Sequence, residues 1–315
     1  AAAMVALLHE CGVPTAVLQM LHGPGQTIGA ALVAHPAVAG VAFTGSTAVA
    51  KAIQSALAAK DGPIVPLIAE TGGINAMVVD STALPEQVAD AVIHSAFKSA
   101  GQRCSALRLL CLHESVADRI IEMIQGAAST LRLGDPARFD TDVGPLIDEA
   151  AYQNVVQHLR RLQETALPLL ALQPEMSTGM EATEQLLGPH AFEITRIHEV
   201  TQEVFGPVLH VVRWQGDPQA VIDQINDLGY GLTLGLQTRI DSRAQALAQR
   251  AQVGNVYVNR HMIGAVVGLQ PFGGEGLSGT GPKAGGPLYL QRFCTERVVT
   301  VNTTAAGGNV SLLAG

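Results

Sequence analysis

The alternation of short apolar runs with longer amphipathic segments, separated by Gly and Pro breaks, constrains this chain more than any other feature. Residues 3–11 have a helical pattern that stops at Gly12 and Pro14. Residues 17–21 then read as a short buried strand and 26–34 as a helix. A second strand is expected over 38–43, a helix over 46–59 and a third strand over 64–69. From Leu84 the units lengthen, with a helix over 85–99, a strand over 107–112 and a helix over 115–131. The alternation resumes from Phe192 to about Val258. Strands and helices alternating through short turns predict an α/β fold around a parallel, doubly wound sheet. The polar stretch 173–184 reads as an exposed excursion. The glycine-rich 264–286 segment is too irregular for either element and is expected to line a site.

Composition bounds the functional class. A chain of 315 residues can bury a sizeable core, and two domains or lobes are expected. It is 48% hydrophobic and only 15% charged, as suits a large α/β enzyme. A net charge of −8 argues against a nucleic-acid partner, which would call for a basic footprint. No apolar run reaches the roughly 18 uncharged residues of a membrane span. Cysteines 11, 104, 111 and 294 follow neither a disulfide nor a zinc spacing, so no metal site is expected and a reducing cytoplasm fits.

Two segments carry chemistry. Cys104 lies in Ser99-Ala-Gly-Gln-Arg-Cys-Ser-Ala-Leu-Arg108, where small residues permit close backbone approach and Arg103 and Arg108 flank the sulfur with positive charge. A thiol attacks a carbonyl as thiolate, and nearby cations or a base promote that form. Upstream, Leu67-Ile-Ala-Glu-Thr-Gly-Gly-Ile-Asn75 is an apolar run ending in a carboxylate before a Gly-Gly break, so Glu70 should project from the end of a strand. A nucleophilic Cys with a Glu base suggests chemistry on an electrophilic carbonyl. Gly45 and Ser46 fall at a strand-to-helix junction, where backbone amides and a helix N-terminus suit a pyrophosphate. Cys11, Cys111 and Cys294 read as core side chains rather than chemistry.

Phe43-Thr-Gly-Ser-Thr47, Glu70-Thr-Gly-Gly73, Gly101-Gln-Arg-Cys104, Glu203-Val-Phe-Gly-Pro207 and Pro271-Phe-Gly-Gly274 occur in the order of the aldehyde dehydrogenase superfamily, which the chain resembles over nearly its whole length. Residues 95–108 and 254–283 are similar to the C-terminal half of the bifunctional proline-catabolic PutA family. The resemblance implies an aldehyde dehydrogenase-like α/β fold, with part of a Rossmann-type parallel sheet and an α/β catalytic domain. It divides the chain into the C-terminal half of an NAD-binding domain over 1–72, a thiol-bearing catalytic domain over 73–275, and a return segment with a C-terminal tail over 276–315. The tail, 300–313, has strand character and suits an edge or intersubunit role.

The resemblance also implies a reaction. Cys104 adds to L-glutamate γ-semialdehyde, hydride passes to NAD, and Glu70 activates the water that releases L-glutamate. FAD would belong only to a proline dehydrogenase half outside this chain. By resemblance Glu203 bonds the nicotinamide ribose, Phe205 packs nearby and Gly72 lies under the nicotinamide. Ser105, Gly264 and Ala265 would hold the substrate carboxylate, with Phe272 on its aliphatic part. A homo-oligomer is the expected state of the parent protein. The match begins well inside a typical family member, so the chain reads as a fragment without the Asn of the oxyanion hole. Loss of one such donor slows turnover by about a hundredfold or more. A general aldehyde dehydrogenase acting on another substrate, or a catalytically incompetent assembly module, remains open as an alternative.

Overall fold

The protein is described by a computed structural model over residues 1–172, 185–266 and 268–302. Its front part contains α1 (Ala2–Glu10), a π-helical turn Gly25–Gly29 running into α2 (Ala30–Ala34), β1 (Val41–Thr44), α3 (Thr47–Ala59) and β2 (Leu67–Glu70). Strands β1 and β2 pair in parallel, with Thr44 opposite Glu70. Ser46 Oγ accepts the Val49 N–H at 3.3 Å, so the side chain that ends the strand loop also caps α3.

Three expectations for this part need correction. Residues 17–21 form no strand, because the Val17 and Leu18 amides turn back onto the Pro14 carbonyl. Val17 and Leu21 are exposed, and an apolar run without a neighbouring strand leaves its backbone groups unpaired. The two flanking strands start later than the apolar runs suggest, at Val41 and Leu67. Pro66 has no N–H to give to a ladder, so pairing takes hold only after it.

The larger unit follows as β3 (Asn75–Val79), α4 (Pro85–Phe97), β4 (Leu107–His113), α5 (Glu114–Ser129), α6 (Glu149–Thr165), β5 (Leu167–Ala171), β6 (His190–Glu193) and β7 (Val208–Trp214). It continues with α7 (Pro218–Asn226), β8 (Tyr230–Gly231), β9 (Thr233–Gln237), α8 (Asp241–Arg250), β10 (Asn255–Val258) and β11 (Glu275–Gly276). Seven strands form one sheet in the order β10-β9-β3-β4-β7-β6-β5, parallel except for β5 at the edge. Successive strand residues face opposite sides. Val78, Leu109 and Leu234 pack with Leu159, Ile222 and Leu247 from α6, α7 and α8. Met77, Leu110 and Leu112 pack with Val88, Val92 and Ile120 from α4 and α5. Helices on both faces explain why these strands are continuously apolar rather than alternating.

Beyond β11 the chain returns to β2. Thr280 N–H donates to Ala69 O at 2.9 Å, Ala69 N–H to Thr280 Oγ1 at 2.9 Å, and Thr71 N–H to Ser278 O at 2.9 Å. Glu70, the last residue of β2, therefore sits where the two-stranded pair, the large sheet and the return segment meet. The 173–184 excursion and the tail beyond Asn302 lie outside the described residues. Among the described residues no helix is long and apolar enough to cross a membrane.

Candidate active site

Cys104 is presented by an unusual backbone path. After α4 the chain passes through three successive left-handed residues, Ser99 (φ 57°), Ala100 (φ 53°) and Gly101 (φ 65°). Such conformations persist only where the surroundings enforce them. At Gly101 the enforcing contact is visible, since a Cβ there would stand 2.2 Å from Gly206 O. A tight turn follows, closed by Ala106 N–H donating to Arg103 O at 3.0 Å, and Cys104 lies within it at the entrance of β4. Asn75 grips this turn from β3. Its Nδ2 donates to Cys104 O at 2.7 Å and to Ala106 O at 2.9 Å, while its Oδ1 accepts the Thr233 N–H of β9 at 3.2 Å. Three adjacent strands thus fix the thiol-bearing backbone.

Glu70 is held by the glycine turn of the return region. Its Oε2 accepts the Gly274 N–H at 3.1 Å, and its Oε1 is buried with no hydrogen-bond partner. A Cβ at Gly273 would reach to 2.5 Å of Oε1, so only glycine allows this approach. Burial pushes the Glu70 carboxyl up to about 7, against the opposing effects of the Gly274 N–H and the Lys283 ammonium. The Glu70 carbonyl accepts the Gly45 N–H at 3.1 Å, which ties the β1–α3 junction to the same point.

Glu203 approaches from the loop before β7. A Cβ at Gly72 would lie 1.6 Å from Glu203 Oε2, so the glycine leaves this carboxylate its space. Arg108, 1% exposed, organises the surroundings. Its Nη1 donates to Gly206 O at 3.0 Å and its Nη2 to Arg103 O at 3.2 Å. Nη2 stands 3.5 Å from Glu203 Oε1, an ion-pair distance, and that oxygen keeps no hydrogen-bond partner. The guanidinium also lies over the Phe205 ring, 5.4 Å from its centre. Burial raises the Glu203 carboxyl above the usual range, with Arg108 and the Gly73 N–H pulling it back.

The electrostatics reverse one expectation. Arg103 and Arg108 do not leave the thiol in a positive field. Arg103 turns to solvent and donates to Ser99 Oγ at 3.2 Å, while Arg108 is engaged by Glu203. Burial pushes the Cys104 thiol up, Glu203 and to a lesser degree Glu70 add to this, and the N–H groups of Ser105 and Cys104 oppose it. The resting thiol keeps its proton at neutral pH, so a base or a bound ligand must favour its ionisation.

The Cys104 thiol feels the charges of both Glu70 and Glu203, Glu203 meets Gly72 and the Arg108 that lies over Phe205, and Gly45 bonds to Glu70, so these residues form one cluster. Ser105 is buried beside the thiol and Phe272 adjoins Gly273, paired in both directions with Ala284. Ser46 sits at the same junction as Gly45, its hydroxyl taken up by the α3 cap. Gly264 and Ala265 lie in the loop between β10 and β11. A Cβ at Gly264 would meet nothing within 4 Å, so space does not demand glycine there; its φ of 76° does. Asn75 was not anticipated, although a lone amide at the head of an apolar strand is a usable signal. Nor was a histidine relay behind the site. Arg161 Nη2 donates to His158 Nδ1 (3.0 Å), the two Nε2 atoms of His158 and His210 are 2.8 Å apart, and His210 Nδ1 reaches Arg108 O at 2.9 Å. A cavity of about 550 Å³ bordered by Asn154, His158, Arg161, Glu203 and Phe205 opens beside it. Among the described residues no His, Cys, Asp or Glu group is arranged to hold a metal ion.

The aldehyde dehydrogenase family model matches residues 1–299. The bifunctional protein PutA of Salmonella typhimurium is 51% identical over 311 residues, covering 96% of this chain and 24% of that protein. The 1-pyrroline-5-carboxylate dehydrogenase of Bacillus subtilis is 36% identical, covering 92% of this chain and 56% of that protein. A crystal structure of a Bradyrhizobium japonicum proline utilization A variant superposes with a TM-score of 0.89 at 59% identity, over 96% of this chain and 30% of that one. A Thermus 1-pyrroline-5-carboxylate dehydrogenase with bound NAD gives a TM-score of 0.85 at 33% identity, over 91% of this chain and 55% of that one. The chain therefore spans about a quarter of the PutA relatives.

Proposed function

The chain belongs to the aldehyde dehydrogenase family, and from that premise we propose that it carries the site at which L-glutamate γ-semialdehyde is oxidised to L-glutamate with NAD. The observation that carries this reading is a buried thiol turn, a carboxyl held near neutrality and a second carboxylate over a glycine, gathered at one junction. The names of the PutA and 1-pyrroline-5-carboxylate dehydrogenase relatives supply the substrate.

In the proposed reaction Cys104 first loses its thiol proton to a base, then Sγ bonds to the aldehyde carbon and the carbonyl electron pair moves to oxygen, where the Cys104 N–H donates. When bound, NAD accepts the hydride from that carbon, leaving a thioester on Cys104. Glu70 takes a proton from water, the water oxygen bonds to the acyl carbon, and the carbon–sulfur bond breaks to release the carboxylate and the thiolate. A carboxyl at about 7 is well suited to accept a proton at neutral pH and shed it again. The residues present fit the cofactor. Glu203 is a buried carboxylate whose Oε1 has only the Arg108 guanidinium, 3.5 Å away, beside it and so can accept from a ribose hydroxyl, and the missing side chain at Gly72 lets that carboxylate sit there. Gly45, Ser46 and Phe205 complete the proposed cofactor set. Ser105, Gly264, Ala265 and Phe272 are assigned to the substrate.

The domain reading belongs to the same proposal: 1–72 as cofactor-binding part, 73–275 as catalytic domain, 276–315 as return segment and tail. The pairing of β1 with β2 apart from the seven-stranded sheet supports the first boundary. Homo-oligomers in a reducing cytoplasm complete the proposal, consistent with four free cysteines. The test is NADH formation by the protein carrying this chain, offered glutamate γ-semialdehyde beside a panel of other aldehydes. Selective turnover that Cys104→Ala abolishes is expected; preference for unrelated aldehydes would overturn the substrate assignment.

A further inference from the structure

We propose that Lys283 is a positioning residue for Glu70: it fixes the glycine turn that grips the carboxylate and supplies that carboxylate with a positive charge. The inference rests on the reading of Glu70 as the base of the reaction. Its geometry runs from Lys283 through the glycine region to the carboxylate. Lys283 Nζ donates to Gly254 O. Gly254 lies so close behind the turn that a Cβ there would stand 1.8 Å from Gly273 O. Gly274 N–H donates in turn to Glu70 Oε2. The flank of Lys283 is itself fastened, because Phe272 N–H donates to Ala284 O at 3.0 Å and Ala284 N–H to Phe272 O at 2.8 Å. Asn255 holds the other side, with Nδ2 on Pro271 O at 3.1 Å and Oδ1 accepting the Gly273 N–H at 3.4 Å.

Charge points the same way. The groups that act on this carboxyl are the Gly274 N–H and Lys283 from the return segment, while the Cys104 thiol of the turn before β4 feels both Glu70 and Glu203. The thiol is neutral at rest and Glu203 is engaged by Arg108, so Lys283 is the cation that offsets the burial of Glu70. Without it the carboxyl would hold its proton to higher pH and would be a base over a narrower range.

The experiment is an infrared titration of the protonated carboxyl band of Glu70, assigned by its loss in Glu70→Gln, together with the pH profile of turnover. Lys283→Gln keeps a donor for Gly254 O and removes the charge, whereas Lys283→Arg keeps both. We expect the Glu70 midpoint to rise by about one pH unit in the Gln variant and to stay near that of the parent in the Arg variant. The acid limb of kcat should move with it while KM holds. An unmoved midpoint in folded Lys283→Gln, or equal shifts in both variants, would overturn the proposal. If instead Glu70→Gln retains the acid limb of kcat, the reading of Glu70 as base fails, whatever the infrared band does.

Discussion

A thiol packed between two carboxylates gains nothing from charge alone, so the placement of Cys104 depends on hydrogen bonds to its backbone. Asn75 provides most of them, satisfying two carbonyls and a strand amide at once. Asn75→Ala leaves buried carbonyls without their donor, at a cost of at least about 2 kcal/mol. Denaturant unfolding should show that loss, and alkylation of Cys104 by iodoacetamide should change in rate as its turn loosens. Glu70 gives the corresponding pH dependence. In its proposed role as base the carboxyl must be ionised to take a proton from water, so turnover should rise with pH through about 7 and then level, and Glu70→Gln should remove that rise. Cys104 and Glu70 were legible as candidates because they stand in distinctive strings, whereas Asn75 was not singled out. The sign of the field around the sulfur was not legible. Arg108 neighbours Cys104 in sequence, but its charge is taken up by Glu203 from a distant loop.

Among the elements, the helix-to-strand passage between α4 and β4 decides whether the thiol turn meets the loop before β7. Gly101 is a point of that passage that excludes a side chain, with a left-handed φ and Gly206 O where a Cβ would stand. Gly101→Ala should therefore destabilise the protein by about 2 kcal/mol or more and depress turnover with it. A thermal melt beside the kcat of the folded fraction checks both effects. The strands and helices of the larger unit follow their apolar periodicity closely, since helices cover both sheet faces and burial enforces the pattern. The front part follows it less well. The apolar run 17–21 has the composition of a strand, but strand formation needs a partner edge, which local sequence does not encode.

At the scale of the whole molecule, the seven-stranded sheet, α6 and the site communicate through buried polar groups. Burial lowers His210 to about 4 and His158 to about 3, with their mutual proximity and Arg161 adding to the effect on His158. Both folded values lie below the ordinary 6.5, so the unfolded chain binds protons first as pH falls. The stability they contribute is complete above about 6.5 and is lost progressively toward 4. Melting temperature should fall over that window, and His210→Gln should flatten the decline; a parent protein equally stable at pH 7.5 and pH 5 would contradict the relay. By itself, the sequence determined the α/β class and the order of most elements, and it singled out Cys104 and Glu70 as the candidate thiol and base. Local periodicity and residue chemistry suffice for those. Only the tertiary structure decided which groups meet: Arg108 with Glu203, Lys283 behind the turn that holds Glu70, and the Asn75 amide on the thiol turn. Electrostatic and hydrogen-bond energies depend on distance in space and on burial, and neither is written in the order of residues along the chain.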